Sequence, residues 1–170
     1  MYEPREDSFL ILKQIGKYAT GTVLDMGTGS GILAKEASKT ANVTAIDINP
    51  EAKKYCKGIK FIVSDLFSNV KGKFDLIIFN PPYLPNDPRV EDVALDGGEK
   101  GYEIIEKFLK NAHEYLSNQG KILLLFSSLT GKEKVEDIIK KKRFYYKELS
   151  RQKLHYEELY VYLIDKNEPK

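Results

Sequence analysis

Short apolar runs alternate with stretches of helical periodicity through most of the chain. That alternation is the strongest constraint the sequence places on its fold. Strands separated by helices return to lie parallel, the crossovers are right-handed, and a sheet built this way is covered on both faces. Near-continuous apolar runs such as Ile122 to Phe126 fit burial on both sides. The expected architecture is α/β, a doubly wound and mostly parallel sheet.

The segments can be placed in order. Phe9 to Ile15 reads as a helix capped by Asp7 or Ser8. Thr22-Val23-Leu24 is a strand ending at Asp25, and a glycine-rich turn leads into a helix from Ile32 to Ala41. Val43 to Ile48 is a second strand, after which Asn49 caps and Pro50 starts the next helix. A third strand, Ile59 to Val63, ends at Ser64-Asp65. Phe74 to Phe79 is the fourth and runs into Asn80-Pro81-Pro82-Tyr83. A polar, proline-rich loop covers Leu84 to Gly101. Ile104, Ile105, Phe108, Leu109, Ala112 and Leu116 then follow helical spacing, and Asn118 to Gly120 ends that helix. Lys121 to Phe126 is the fifth strand. Thr130 with Glu133 makes a capping box for a helix through Lys142. Phe144 to Leu149 and Leu159 to Ile164, joined by a polar connection, pair as an antiparallel hairpin. No repeat or linker interrupts the order, so residues 1–170 read as one domain.

Composition closes off several function classes. With 42% apolar and 31% charged residues the chain is globular in type, and no apolar run approaches the length of a membrane span. The opening Glu3-Pro4-Arg5-Glu6-Asp7 is no signal peptide, so cytoplasm is the expected compartment. One cysteine, Cys56, excludes an internal disulfide framework and a cysteine-rich metal site. It reads as a small, partly buried residue. His113 and His155 have no metal-ligand companions and read as solvated surface. No metal is expected. A net charge of +2 argues neither for nor against a polyanionic partner. The basic run Lys140-Lys141-Lys142-Arg143 sits near a helix end, where it complements the dipole and faces water.

The informative residues fall at the carboxyl ends of strands, where ligands bind in a doubly wound sheet. After the first strand comes Asp25-Met26-Gly27-Thr28-Gly29-Ser30-Gly31. Gly27, Gly29 and Gly31 allow a tight turn and the close approach of a ligand. Asp47, with Ile48 beside it, ends the second strand and is placed to accept both hydroxyls of a ribose. Asp65-Leu66, after the third, suits an adenine amino group and ring. A nicotinamide or flavin cofactor is the rival reading. However, the dinucleotide pattern needs glycine where Ile32 stands, and Asp25 would repel a pyrophosphate. A carboxylate there suits the amine of S-adenosylmethionine. Aspartate also caps turns, yet three at successive strand ends with glycines between favour one pocket.

Asn80-Pro81-Pro82-Tyr83 carries the chemistry. An amide nitrogen is a poor nucleophile because its lone pair is delocalised, and an aromatic exocyclic amine suffers similarly. The Asn80 side-chain oxygen and the Pro81 carbonyl can each accept one N–H of a planar NH2 group, which orients its lone pair at the methyl donor. Pro81 and Pro82 fix the backbone, and Tyr83 offers an aromatic face. As a rigid turn alone, Asn-Pro would be unremarkable; after a buried strand and a donor site it points to methyl transfer onto nitrogen.

These residues resemble the HemK/PrmC-like class I methyltransferases, which carry Asn-Pro-Pro-Tyr and modify the glutamine of the Gly-Gly-Gln motif in peptide-release factors. Tyr2-Glu3-Pro4-Arg5-Glu6-Asp7-Ser8-Phe9-Leu10, Asp96-Gly97-Gly98-Glu99-Lys100-Gly101 and Ser150-Arg151-Gln152 are similar to motifs of the archaeal and eukaryotic branch. The resemblance implies a seven-stranded sheet of order 3-2-1-4-5-7-6 with the last strand antiparallel. It also implies that Ser8, Asp25, Gly27, Asp47, Asp65 and Leu66 line the S-adenosylmethionine pocket, and that Asn80 touches both donor and substrate. Many relatives have Glu at the Asp25 position, so the shorter side chain here is expected to act through water. Bacterial relatives add an N-terminal helical domain, which the signature starting at Tyr2 leaves no room for. Members of this branch work with a small zinc-binding activator along the free edge of the third strand, here Lys60-Phe61-Ile62-Val63. An uncovered apolar edge is an aggregation hazard. The implied substrate is a release factor; the other readings weighed are an adenine or cytosine amino-methyltransferase on nucleic acid, a protein lysine methyltransferase, and a donor-binding scaffold without activity. Nucleic acid is disfavoured because the chain lacks a target-recognition region and a strongly basic face.

Overall fold

A computed structural model describes residues 6–81 and 100–170. Its strands are β1 (Thr22–Met26), β2 (Asn42–Asp47), β3 (Lys60–Val63), β4 (Phe74–Phe79), β5 (Leu116–Ser127), β6 (Tyr145–Lys153) and β7 (Glu158–Asp165). They form one sheet of order β3-β2-β1-β4-β5-β7-β6. β3, β2, β1, β4 and β5 run parallel, and β7 is antiparallel to both β5 and β6. This is the order implied by the resemblance.

Alternation along the central strands builds two cores. In β4, Ile77 and Phe79 face one way and Leu76 and Ile78 the other. In β5, Ile122, Leu124 and Phe126 oppose Leu123 and Leu125 in the same fashion. One face is covered by α1 (Glu6–Tyr18) and α2 (Ile32–Ala37), which bury Leu10, Ile11, Ile15, Leu33 and Ala34. The other is covered by α3 (Glu103–Ala112) and α4 (Lys132–Lys141), which bury Ile105, Phe108, Leu109, Val135 and Ile138. The sheet is thus buried on both sides. No helix among the described residues is long and apolar enough to cross a membrane.

Several boundaries and burials differ from the sequence expectation. The first helix begins at Glu6, so Asp7 and Ser8 lie inside it, buried, rather than capping it. The helix from Ile32 stops at Ala37, and the helix begun by Pro50 is a 3-10 segment, Pro50–Tyr55, with the Asn49 side chain accepting from the Glu51 N–H as expected. α3 ends at Ala112, and after a short 3-10 turn β5 starts at Leu116 rather than Lys121. Leu116 keeps the helical spacing in sequence yet pairs with Phe74 in the sheet. The capping box does not form: Gly131, at φ 93°, is the N-cap of α4, with no side-chain cap bond. His113 is half-buried rather than free surface: its ring stacks on Phe144 at 3.9 Å and Nε2 lies 2.8 Å from the Lys142 carbonyl. Cys56 is fully rather than partly buried, at 3% exposure, and burial pushes its thiol pKa up. His155 is exposed, as expected.

The amino-terminal end of the sheet is tied by Asp75. Its Oδ2 accepts the Thr22 N–H at 2.9 Å and its Oδ1 accepts from Ser117 Oγ at 2.7 Å. The Thr22 backbone bond, more than any other contact, holds its carboxyl below the usual carboxylate range. Between Leu116 and Lys121 the β4–β5 register shifts, and Gly120 lies there against backbone: a Cβ would sit 2.6 Å from the Phe74 oxygen and 2.9 Å from the Ser117 nitrogen. Gly120→Ala is expected to destabilise the protein by about 1–3 kcal/mol, read as a lowered urea midpoint.

Candidate active site

Parallel register puts four strand ends on one rim. Met26 of β1 pairs with Ile46 of β2 on one side and Phe79 of β4 on the other, and Asp47 at the end of β2 pairs with Val63 at the end of β3. The residues that follow, in the Gly27 to Gly31 turn, at Asp65-Leu66 and at Asn80, therefore emerge side by side. Pro81 is buried just beyond Asn80. Pro82, Tyr83 and the Asp96 to Glu99 part of the glycine loop lie outside the described residues, as do Tyr2 to Arg5.

The turn after β1 is left-handed at each glycine: Gly27, Gly29 and Gly31 have φ of 68°, 52° and 72°. Their reasons differ. A Cβ on Gly27 would meet nothing within 4 Å, and one on Gly29 only the Gly27 carbonyl at 3.9 Å, so open space lies beside the backbone there. Gly31 instead packs on the protein itself, where a Cβ would fall 2.9 Å from the Tyr55 carbonyl oxygen. From the sequence all three serve a tight turn and the approach of a ligand; Gly31 serves the turn and packs against Tyr55.

Asp47 organises the turn. Its Oδ2 accepts the Gly29 N–H and its Oδ1 the Asn49 N–H, both at 2.9 Å. A carboxylate has about four lone-pair sites, so acceptor capacity remains on a half-exposed group. Ile48 beside it is 61% exposed, an apolar surface at the rim. Asp25 is the opposite case. It is 1% exposed, and its Oδ2 accepts from Thr28 Oγ1 at 2.6 Å. Burial pushes its pKa up to about 6, the Thr28 bond opposing. A buried carboxyl without a cation favours its neutral form.

Beyond β3 the chain is held by a residue the sequence reading did not assign. Ser64 is 3% exposed; its Oγ donates to the Leu66 carbonyl at 2.8 Å and accepts the Asn69 N–H at 3.0 Å. Those bonds hold Leu66 at φ 48°, a left-handed conformation uncommon for a side chain of its type. The signal available was a small polar residue between a strand and Asp65. Asp65 itself is largely exposed and lies 3.6 Å from Lys107 Nζ. At the fourth strand end, Asn80 Nδ2 donates to Asp7 Oδ2 at 3.2 Å. Ser8 is buried next to it in α1. Asp7, read from sequence only as a cap, is the second site residue that pattern alone missed.

Open backbone at Gly27 and Gly29, an acceptor at Asp47 and an exposed apolar ledge at Ile48 fit a nucleoside, and a buried acidic group at Asp25 fits an amine. This sheet order with such a rim defines an S-adenosylmethionine-dependent methyltransferase. The family model described as the methyltransferase small domain matches residues 6–156, and the chain belongs to that family. It is 39% identical to a Methanocaldococcus jannaschii protein provisionally named protein N5-glutamine methyltransferase, over 95% of this chain and 89% of that one. It is 36% identical to the release factor glutamine methyltransferase of Deinococcus radiodurans, over 68% of this chain and 49% of that longer protein. Among solved structures, the E. cuniculi Mtq2–Trm112 complex responsible for methylation of the translation termination factor eRF1 contains a chain that superposes with a TM-score of 0.84, at 25% identity and covering 98% of each chain.

Ser64→Ala removes the bonds that hold the Leu66 turn. The expected cost is about 1–3 kcal/mol for leaving buried partners unsatisfied, read in a denaturant melt, together with weakened binding of S-adenosylhomocysteine by calorimetry.

Proposed function

We propose that this methyltransferase modifies the side-chain amide nitrogen of the glutamine in a Gly-Gly-Gln motif of a peptide-release factor, acting as one domain over residues 1–170. The observation that carries the reading is Asn80. Its Oδ1 is buried and has no hydrogen-bond partner among the described residues, while its Nδ2 is already engaged by Asp7. A buried acceptor without a partner costs about 1–3 kcal/mol, and the N–H of a planar NH2 group is the partner it lacks. The names of the two glutamine methyltransferases and the eRF1-modifying complex support the same substrate class.

In this reading Asp47 accepts the ribose hydroxyls, Ile48 and Leu66 pack on the adenine, and Asp65 takes its amino group. Gly27 and Gly29 let the donor approach the backbone, Gly31 keeps the turn packed, Ser8 completes the wall, and Asp25 sets a negative charge near the amine. Asn80 Oδ1 and the Pro81 carbonyl accept the two N–H bonds of the target amide, Pro82 stiffens the loop, and Tyr83 stacks on the amide plane. Fixed acceptors cost no reorganisation as the nitrogen turns pyramidal. The bound sulfonium supplies an activated methyl group, and the amide proton, acidified once nitrogen carries positive charge, leaves to solvent. The protein supplies position.

A partner is part of the proposal. β3 ends the sheet on one side, with Phe61 and Ile62 half-buried and Val63 45% exposed beside the exposed Ile48. A small zinc-binding activator pairing along that edge would cover it.

Two measurements test the reading. Methyl transfer from labelled donor to a release factor, with mass spectrometry of the Gly-Gly-Gln peptide, is expected to place the label on glutamine, to rise when the activator is present, and to be absent from unmethylated DNA run in parallel. Asn80→Ala is expected to abolish that transfer with donor affinity retained, and label on DNA or on lysine would overturn the substrate assignment. The second is pH. Because the folded pKa of Asp25 is raised, its contribution to stability in the ligand-free protein is present below the unfolded value and lost as pH rises through about 6. Donor binding runs the other way. Below about 6 the carboxyl holds a proton that must leave to face an ammonium group, so donor affinity should fall by up to about tenfold per pH unit there. Asp25→Asn should flatten this profile, and a flat wild-type profile would remove Asp25 from the amine site.

A further inference from the structure

A side-chain amide has two unlike ends, one that accepts and one that donates. In Asn80 the donating end is held, by Asp7 Oδ2 at 3.2 Å, and the accepting end is left without a partner among the described residues. Asp7 is 3% exposed, in the first turn of α1, and its second oxygen accepts the Ser8 N–H at 2.7 Å. The carboxylate is therefore fixed by its own backbone before it meets Asn80. The contact joins positions 73 residues apart, and nothing about packing α1 against the sheet requires a charged group for it: Leu10, Ile11 and Ile15 do that work.

We infer that Asp7 is the positioning residue that sets which end of the Asn80 carboxamide faces the target. A carboxylate carries acceptors only, so it can hold the NH2 end of Asn80 and cannot hold the oxygen. An asparagine or serine at position 7 could bond either end and would let the amide flip. Flipped, Asn80 would present its own NH2 to the NH2 of the substrate, donor against donor, and the target nitrogen would lose one of the two acceptors that aim its lone pair. A hydrogen bond from Nδ2 to a carboxylate also polarises the amide and strengthens Oδ1 as an acceptor. Asp7 touches neither donor nor substrate in this account; it acts through Asn80. The inference rests on the reading of Asn80 under the proposed function.

The test is Asp7→Asn, which keeps size and shape and removes the charge together with the acceptor-only character, with Asp7→Ser as a second variant. Steady-state methylation of the Gly-Gly-Gln substrate by the full chain with its activator should show kcat lowered by about tenfold or more, with S-adenosylhomocysteine affinity by calorimetry kept within about twofold. In 15N-labelled protein, the side-chain NH2 resonances of Asn80, identified by their absence from Asn80→Ala, should shift in Asp7→Asn. Wild-type kcat in both variants would overturn the inference. So would a parallel loss of kcat, cofactor affinity and melting temperature, which is the mark of a merely structural residue. If the wild-type protein itself leaves the glutamine unmodified, the substrate reading falls and the resonance arm decides alone: unmoved Asn80 NH2 signals would overturn the inference, and a shift would sustain it.

Discussion

The parallel hydrogen-bond register of β1 between β2 and β4 is the constraint on which the site depends. Met26 faces Ile46 and Phe79 across the ladder, so the strands give out at one level and the chain must turn there. Thr28 N–H then bonds the Ile46 carbonyl at 2.8 Å, which pins the turn to the neighbouring strand. Asp47 bridges the same two loops through Gly29 and Asn49. A slip of one residue in any of these ladders would invert every side chain beyond it and dismantle the rim.

On that frame the two ends of the pocket differ in character. Asp25 is sealed, its pKa pushed up to about 6 by burial, and bonded to Thr28, whereas Asp65 is open and lies near Lys107. Coulombic attraction is strong where solvent is excluded and weak where it is not. Charge at Asp25 is thus screened less than charge at Asp65, where Leu66 held by Ser64 and the ledge of Ile48 supply shape instead.

Much of this was legible in the sequence because it is periodic or local. The central strands announce themselves as apolar runs, and the order of elements dictates a doubly wound sheet. Asp25, Asp47, Asp65 and Asn80 stand at strand ends, which is where such a sheet binds ligands. What stayed hidden was long-range or a matter of competing local rules. Asp7 looked like a cap because its partner, Asn80, is 73 residues away. Leu116 continues a helical spacing but is claimed by the β4 ladder. Thr130 and Glu133 have the right separation for a cap, yet Gly131 between them takes that position. His113 looked polar and was recruited by the Phe144 ring. Ser64 offers only the weak signal of a small polar residue after a strand, since its importance lies in the φ it enforces two residues later.

The two hydrophobic cores lie on opposite faces of the sheet, with neighbouring side chains of β4 and β5 assigned to one or the other. Substitutions that share no partners combine nearly additively. The face under α3 and α4 packs Leu66 and Phe79, the residue before Asn80, so repacking it reaches the rim, as does any change in α1, which carries Asp7 at its first turn. Thermal hardening and catalytic geometry are therefore coupled engineering variables in this fold.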